Sequence, residues 1–209
     1  MPKFFYYTAL LLALLALSAC ESGGKFRIVN RTSYPVYATV GDFPQVTIPG
    51  NSEHIFNIET GDQHLFTGTV RETVPVILVG ETYSLLDDEP DIPVWTDSTM
   101  VRINVGKTLN AYLSPNRASV KIVNASSQNI ISAMIYRHNF ISAALVGTLS
   151  DIAPGEFQHR RVDYATPNSN FYYYVTLQLA DGSQYQYGGE QTILLKDEQF
   201  LITVVDPEK

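Results

Sequence analysis

The chain has 209 residues, 14 basic and 21 acidic side chains, a formal net charge of −7, and 45% apolar residues. Such an acidic surface lacks the basic patch that neutralises phosphates, which excludes nucleic acid as an expected partner. The single cysteine excludes an internal disulfide, so stability must come from an ordinary hydrophobic core.

The clearest signal lies in the first 20 residues. Lys3 and the amino terminus give a short positive start, and no charge follows from Phe4 to Leu17. That run is shorter than the roughly 20 apolar residues of a membrane-spanning helix and fits the apolar region of a signal peptide, at about 7–15 residues. Small residues then lead to the only cysteine. Leu17-Ser18-Ala19-Cys20 resembles a bacterial lipobox, and that resemblance carries several implications. Residues 1–19 are a signal peptide, the chain is cut before Cys20, and its sulfur and new amine carry palmitate-type acyl chains. The protein is then exported and lipid-anchored in the bacterial envelope. Glu21, where Asp would signal retention, favours the outer membrane of a Gram-negative host. Two lipid signals already give stable anchoring. Residues 20–24 form the tether, and at about 3.5 Å per residue the first strand starts within roughly 14–18 Å of the bilayer. Cleavage removes Lys3 and brings the formal charge to −8, so the anchor and not the acidic body contacts the membrane.

The remaining sequence repeats one plan. Phe26-Arg27-Ile28-Val29-Asn30-Arg31-Thr32-Ser33 aligns with Val120-Lys121-Ile122-Val123-Asn124-Ala125-Ser126-Ser127, and Val36–Val40 aligns with Ile130–Ile135. Ile48-Pro49-Gly50 aligns with Ile152-Ala153-Pro154-Gly155, which places His54 opposite His159, and Thr108–Pro115 aligns with Phe200–Pro207. Aromatic and β-branched enrichment favours strands, and Pro-Gly marks tight turns. Asp181-Gly182 predicts a two-residue hairpin. One stretch, Phe140 to Val146, reads as a helical turn or two. These signals predict an all-β chain of two tandem small β-sandwich domains after a lipoprotein signal peptide, 25–115 and 116–209. A single larger sandwich that shares strands between the copies is the alternative. The Asn-centred openings, the Pro-Gly turn and the late Asp-Gly hairpin resemble the repeated, Ig-like β-sandwich domains of uncharacterised bacterial lipoproteins. That resemblance implies a fold and no activity.

Chemical motifs are few. Gly106-Lys107-Thr108 has Val101 where a phosphate-binding loop needs glycine, and a strand follows instead of a helix. The acidic run Asp87-Asp88-Glu89-Pro90-Asp91 lacks the ligand spacing of a calcium loop and reads as a solvated loop. His54, His64, His138 and His159 show no metal-ligand spacing, so no metal and no cofactor is expected. There is no Gly-x-Ser-x-Gly elbow, and no catalytic residue is assigned. Asn30-Arg31-Thr32 and Asn124-Ala125-Ser126 fit a glycosylation pattern but read as turn starts. Trp95, in a predicted loop, and Tyr172, Tyr173, Tyr174, Tyr185 and Tyr187 are the candidate glycan contacts, although tyrosines at period two also build sandwich cores. The leading expectation is a non-enzymatic envelope lipoprotein that binds an envelope protein partner or supports an assembly. A glycan-binding module is the second reading, and a hydrolase whose site assembles only in three dimensions is the third.

Overall fold

The computed structural model describes residues 23–59, 71–87 and 93–206. Leu17, Ser18, Ala19 and Cys20 lie outside the described residues, as do His64 and Asp88, Glu89, Pro90 and Asp91 of the acidic run.

Sixteen strands and no helix make up the described chain. The N-terminal half holds β1 (Gly23–Asn30), β2 (Val36–Val40), β3 (Val46–Ile48), β4 (Glu53–Glu59) and β5 (Arg71–Gly80). It continues with β6 (Leu85–Asp87), β7 (Val94–Thr96), β8 (Ser98–Asn104) and β9 (Thr108–Leu113). The C-terminal half holds β10 (Ala118–Asn124), β11 (Ile130–His138), β12 (Ala143–Ile152) and β13 (Phe157–Val162). It ends with β14 (Tyr172–Leu179), β15 (Gln184–Gly188) and β16 (Gln199–Val204).

Each half packs a three-stranded sheet on a four-stranded one, which makes an all-β sandwich architecture. The orders are β4-β1-β9 and β3-β2-β5-β8 in the first half, and β13-β10-β16 and β12-β11-β14-β15 in the second. In both, the first strand pairs parallel with the last. Among the described residues no sheet mixes strands from the two halves. The hairpin β6-β7 is an addition to the first half, set between β5 and β8. Strict alternation drives this arrangement. Phe26 and Ile28 point inward from β1, Val120 and Ile122 from β10, and Tyr173, Val175, Leu177 and Leu179 from β14, as period two requires. Two separate clusters of buried apolar side chains result, one for each half.

The paired asparagines explain the openings of the two halves. Asn30 is fully buried, and its Nδ2 donates to the carbonyls of Tyr34 (2.8 Å), Ile48 (3.1 Å) and Pro49 (2.9 Å). Its Oδ1 accepts from the Thr32 amide and hydroxyl, at 3.0 and 2.8 Å. Asn124 repeats the pattern with Gln128, Ile152 and Ser126. Each side chain closes an Asx turn and ties the next corner of the sandwich to it. With no exposed surface, neither amide is a glycosylation acceptor.

Three details differ from the sequence reading. The stretch Phe140 to Val146 is a hairpin turn followed by β12. Asn139 Oδ1 accepts from the Ile141 and Ser142 amides, at 3.2 and 2.8 Å, and Phe140 takes φ 67°. Pairing along β11 outweighs the helix propensity of Ala-Ala-Leu. His54 is opposite Ile28 while His159 is opposite Lys121, so Gln158 and not His159 occupies the place of His54. The left-handed turn residue is Asn51 in one half and Gly155 in the other, which shifts the Pro-Gly alignment by one. At the far end, Leu113 pairs with Asn30 as Val204 pairs with Asn124, again one residue from the sequence alignment. A slip of one would have set buried Leu113 against Val205, which is 63% exposed; burial therefore fixes the register.

Candidate functional site

One buried polar cluster joins the two halves. Glu81, just past β5, has no exposed surface. Its carboxylate accepts from Lys121 Nζ (2.7 Å) on β10, Gln199 Nε2 (2.6 Å) on β16 and the Tyr37 hydroxyl (3.0 Å) on β2. Burial by itself would raise the Glu81 pKa, but the hydrogen bonds from Lys121, Gln199 and Tyr37 outweigh it and hold the carboxyl below its ordinary value. Burial and the nearby Glu81 charge push Tyr37 up to about 12, so its hydroxyl stays a donor. His159 stacks on Tyr37 with ring centroids 6.2 Å apart. Burial lowers its pKa, and Arg161 and Lys121 reinforce this against the opposing pull of Glu81 and Asp97.

A second tie runs through Asp197, in the turn before β16. Its Oδ2 accepts from the Ser33 amide (2.9 Å) and hydroxyl (2.8 Å), and its Oδ1 accepts from the Thr82 hydroxyl (2.6 Å). Within the second half, Asp206 gives the matching Ser127 the same cap, at 3.0 Å to both the amide and the hydroxyl. The first half thus takes from the second a cap that the second supplies to itself. A third tie comes from the added hairpin. Arg161 forms a bidentate pair with Asp97, with Nη2 2.7 Å from Oδ2, and also donates to the Tyr83 carbonyl at 3.2 Å. The connecting segment is pinned too: Asn116 exchanges two hydrogen bonds with the Ser84 backbone, at 3.0 and 2.8 Å. Sequence reading missed Glu81, Asp97, Arg161 and Asp197, because their partners lie 40 to 164 residues away and no local spacing marks them.

The structure separates the candidate glycan contacts. Trp95 is 45% exposed on β7, with the Arg117 guanidinium 4.9 Å from its ring centre. Arg117 also pairs with Asp163, which Arg137 shares, at 2.8 and 2.9 Å. Tyr172 and Tyr174 look outward from β14, while Tyr173 between them is buried and donates its hydroxyl to the Asp163 carbonyl at 2.8 Å. Tyr185 and Tyr187 lie opposite Leu177 and Val175, so they flank the inward face, and Tyr187 packs on the core. These rings do not form one platform.

Other chemistry is sparse. Asp42, Glu59 and Glu72 border a cleft of about 400 Å³ beside β4 and β5. Asp42 and Glu59 are exposed, unlike the desolvated carboxyl that a general acid requires. His54 packs on Phe56, His138 on Tyr172 and His159 on Tyr37. Among the described residues no group of three or more His, Cys, Asp or Glu side chains is placed to hold a metal ion.

No protein-family model matches the chain. No curated protein matches it either. Solved structures resemble it distantly. The TIE protein of Bacillus anthracis is 10% identical over 88% of this chain, with a TM-score of 0.29, and the chain spans only 34% of that protein's length. A DUF3823 family protein from Bacteroides uniformis is 7% identical over 80% of this chain and 97% of its own, with a TM-score of 0.27. The minor pilin GBS52 of Streptococcus agalactiae is 8% identical over 89% and 98%, with a TM-score of 0.24. At these scores the likenesses carry no argument about function.

Proposed function

We propose that the protein is an envelope lipoprotein, held to its membrane by acylated Cys20, whose body is a non-catalytic module that binds a protein partner or supports an envelope assembly. In this reading the halves are tandem domains, 25–115 and 116–209, that arose from one duplicated unit. The junction carries the proposal. The buried Glu81 and the partly exposed Asp197 and Arg161 each satisfy polar partners across the two halves, and such networks specify a single arrangement. A stiff body on a short tether presents its surfaces at a fixed height above the bilayer, which suits a scaffold.

Two measurements test it. Cells fed an alkyne-tagged fatty acid should label the wild-type protein and not Cys20→Ala; label on the variant refutes the anchor. Chemical crosslinking of the acylated protein in intact cells, followed by mass spectrometry, should capture one dominant envelope protein. Trp95 favours a second reading, glycan binding, because its exposed ring lies 4.9 Å from the guanidinium of Arg117, which pairs with Asp163. Polysaccharide captured in place of protein would support that reading.

A further inference from the structure

The outer face of the sheet β12-β11-β14-β15 carries a single Asp, Asp151, exposed at an irregularity near the end of β12 away from the β11–β12 turn, in a chain that is 17% charged. Its inward neighbours Ala133, Ile135, Val175 and Leu177 are buried, so alternation turns Ser132, Met134, Tyr136 and His138 of β11 outward. The residues opposite these four on β12 and β14 are also uncharged, as are the outward positions of β15. The half of the face near the β11–β12 turn is aromatic and free of Asp, Glu, Lys and Arg, and the other half holds Ser, Thr, Gln and the peripheral Asp151.

The aromatic half is preorganised. Tyr136 and Tyr174 stack with ring centroids 4.9 Å apart and planes at 10°. His138 and Tyr172 stack at 4.8 Å and 24°, and Phe140 packs edge-on against Tyr172 at 5.4 Å. The turn then presents two apolar side chains to solvent: Phe140 is 52% exposed and Ile141 is 91% exposed. Phe140 sits in the left-handed region, a placement that costs a bulky residue on the order of 1–3 kcal/mol. Its amide donates to His138 Nδ1 at 3.0 Å, and Asn139 holds the two residues that follow. The apolar tip is therefore fixed in place.

We infer that this face docks an uncharged patch on a folded protein partner, with Phe140 and Ile141 as its anchor. The inference rests on the protein-binding reading above and assigns it a surface. Interface centres are depleted of charge and enriched in aromatic residues and Met, and Tyr beside small polar residues is the composition of rigid, low-entropy paratopes. A charge on the partner would be buried against the aromatic half without a counter-charge, at high cost. Sugar rings stack on open aromatic faces, whereas these rings cover one another. Two copies of an acidic chain repel each other, which disfavours self-pairing. Four strands about 4.8 Å apart and roughly eight residues long project about 500 Å². Side-chain relief and the tip raise this toward the ~800 Å² that each partner buries in a standard complex.

The test places a photo-crosslinking amino acid in the full-length, acylated protein at position 174, 141 or 100. Met100 is 60% exposed on the other half's four-stranded sheet. Positions 174 and 141 should capture the same protein, through an uncharged segment of it, and position 100 should not. Yield should be unchanged by added salt, because no charge pair contributes. Ile141→Asp should cut it at least about tenfold, a loss of ~1.4 kcal/mol, with an unaltered thermal melt. An adduct of doubled mass, a glycan adduct or strong salt dependence overturns the inference. Protein captured at 100 but not at 174 or 141 overturns this face and leaves the protein-binding reading standing. No protein captured at any position overturns both.

Discussion

Lys121→Met keeps an aliphatic chain against the Phe157 ring, which Nζ overlies at 4.3 Å, and removes the ammonium that faces Glu81. Glu81 has no exposed side-chain surface and Lys121 retains only 17%. At 2.7 Å and an effective dielectric of about 20, the direct attraction is roughly 6 kcal/mol. Part of this offsets desolvation, so stranding the carboxylate should cost about 3–5 kcal/mol at pH 7. Urea unfolding gives the number, and Trp95, the only tryptophan, reports from the junction beside Arg117. The deficit should also depend on pH. In the wild type the depressed Glu81 pKa contributes stability that is full above the unfolded value near 4.5 and lost as pH falls through the folded value. Without Lys121, burial dominates and raises that pKa, so protonation relieves the variant as pH falls. The gap between variant and wild type should narrow from pH 7 toward about 4. A difference below about 1 kcal/mol at pH 7, or a gap that does not change over that range, would refute the reasoning. The double variant Glu81→Gln/Lys121→Met should recover most of the loss, because no buried charge remains.

Asn124→Asp keeps the shape but loses the Nδ2 donors to the Gln128 and Ile152 carbonyls, and at neutral pH it buries a charge. It should destabilise by about 3 kcal/mol or more, read as a drop in Tm of the purified protein. His159 has a lowered pKa, so stability should decline as pH falls below its unfolded value near 6.5 and level off below its folded value; His159→Gln should abolish that phase in a pH series of urea midpoints. Asp197→Gly relieves a left-handed residue, φ 67°, but removes the cap on Ser33 and Thr82. Limited proteolysis should cut the 114–117 connection faster, while each half resists digestion as before. Gly188→Ala should cost more than about 1 kcal/mol, because φ is +82° and a Cβ would lie 2.7 Å from the Tyr173 carbonyl oxygen; a denaturation midpoint equal to wild type would refute it.

Local chemistry made the architecture legible. Alternating residues in Phe26–Val29 and Val120–Val123, the Asn-x-Thr/Ser turn starts and the Asp181-Gly182 hairpin each act within a few residues, so the sequence by itself determined the all-β class and the main corners. It failed where two local tendencies competed, as at Phe140–Val146, where strand pairing prevailed over helix propensity. It also failed where a one-residue slip left the sequence match intact but reversed the buried face, as at Leu113. The junction and the aromatic outer face were beyond its reach. Glu81 meets Lys121 and Gln199 across 40 and 118 positions, and Tyr136 meets Tyr174 only through the β11-β14 register. Such contacts are set by how whole sheets stack. Only the tertiary structure decided which charges the fold pairs inside and which aromatic rings it gathers on one outer face.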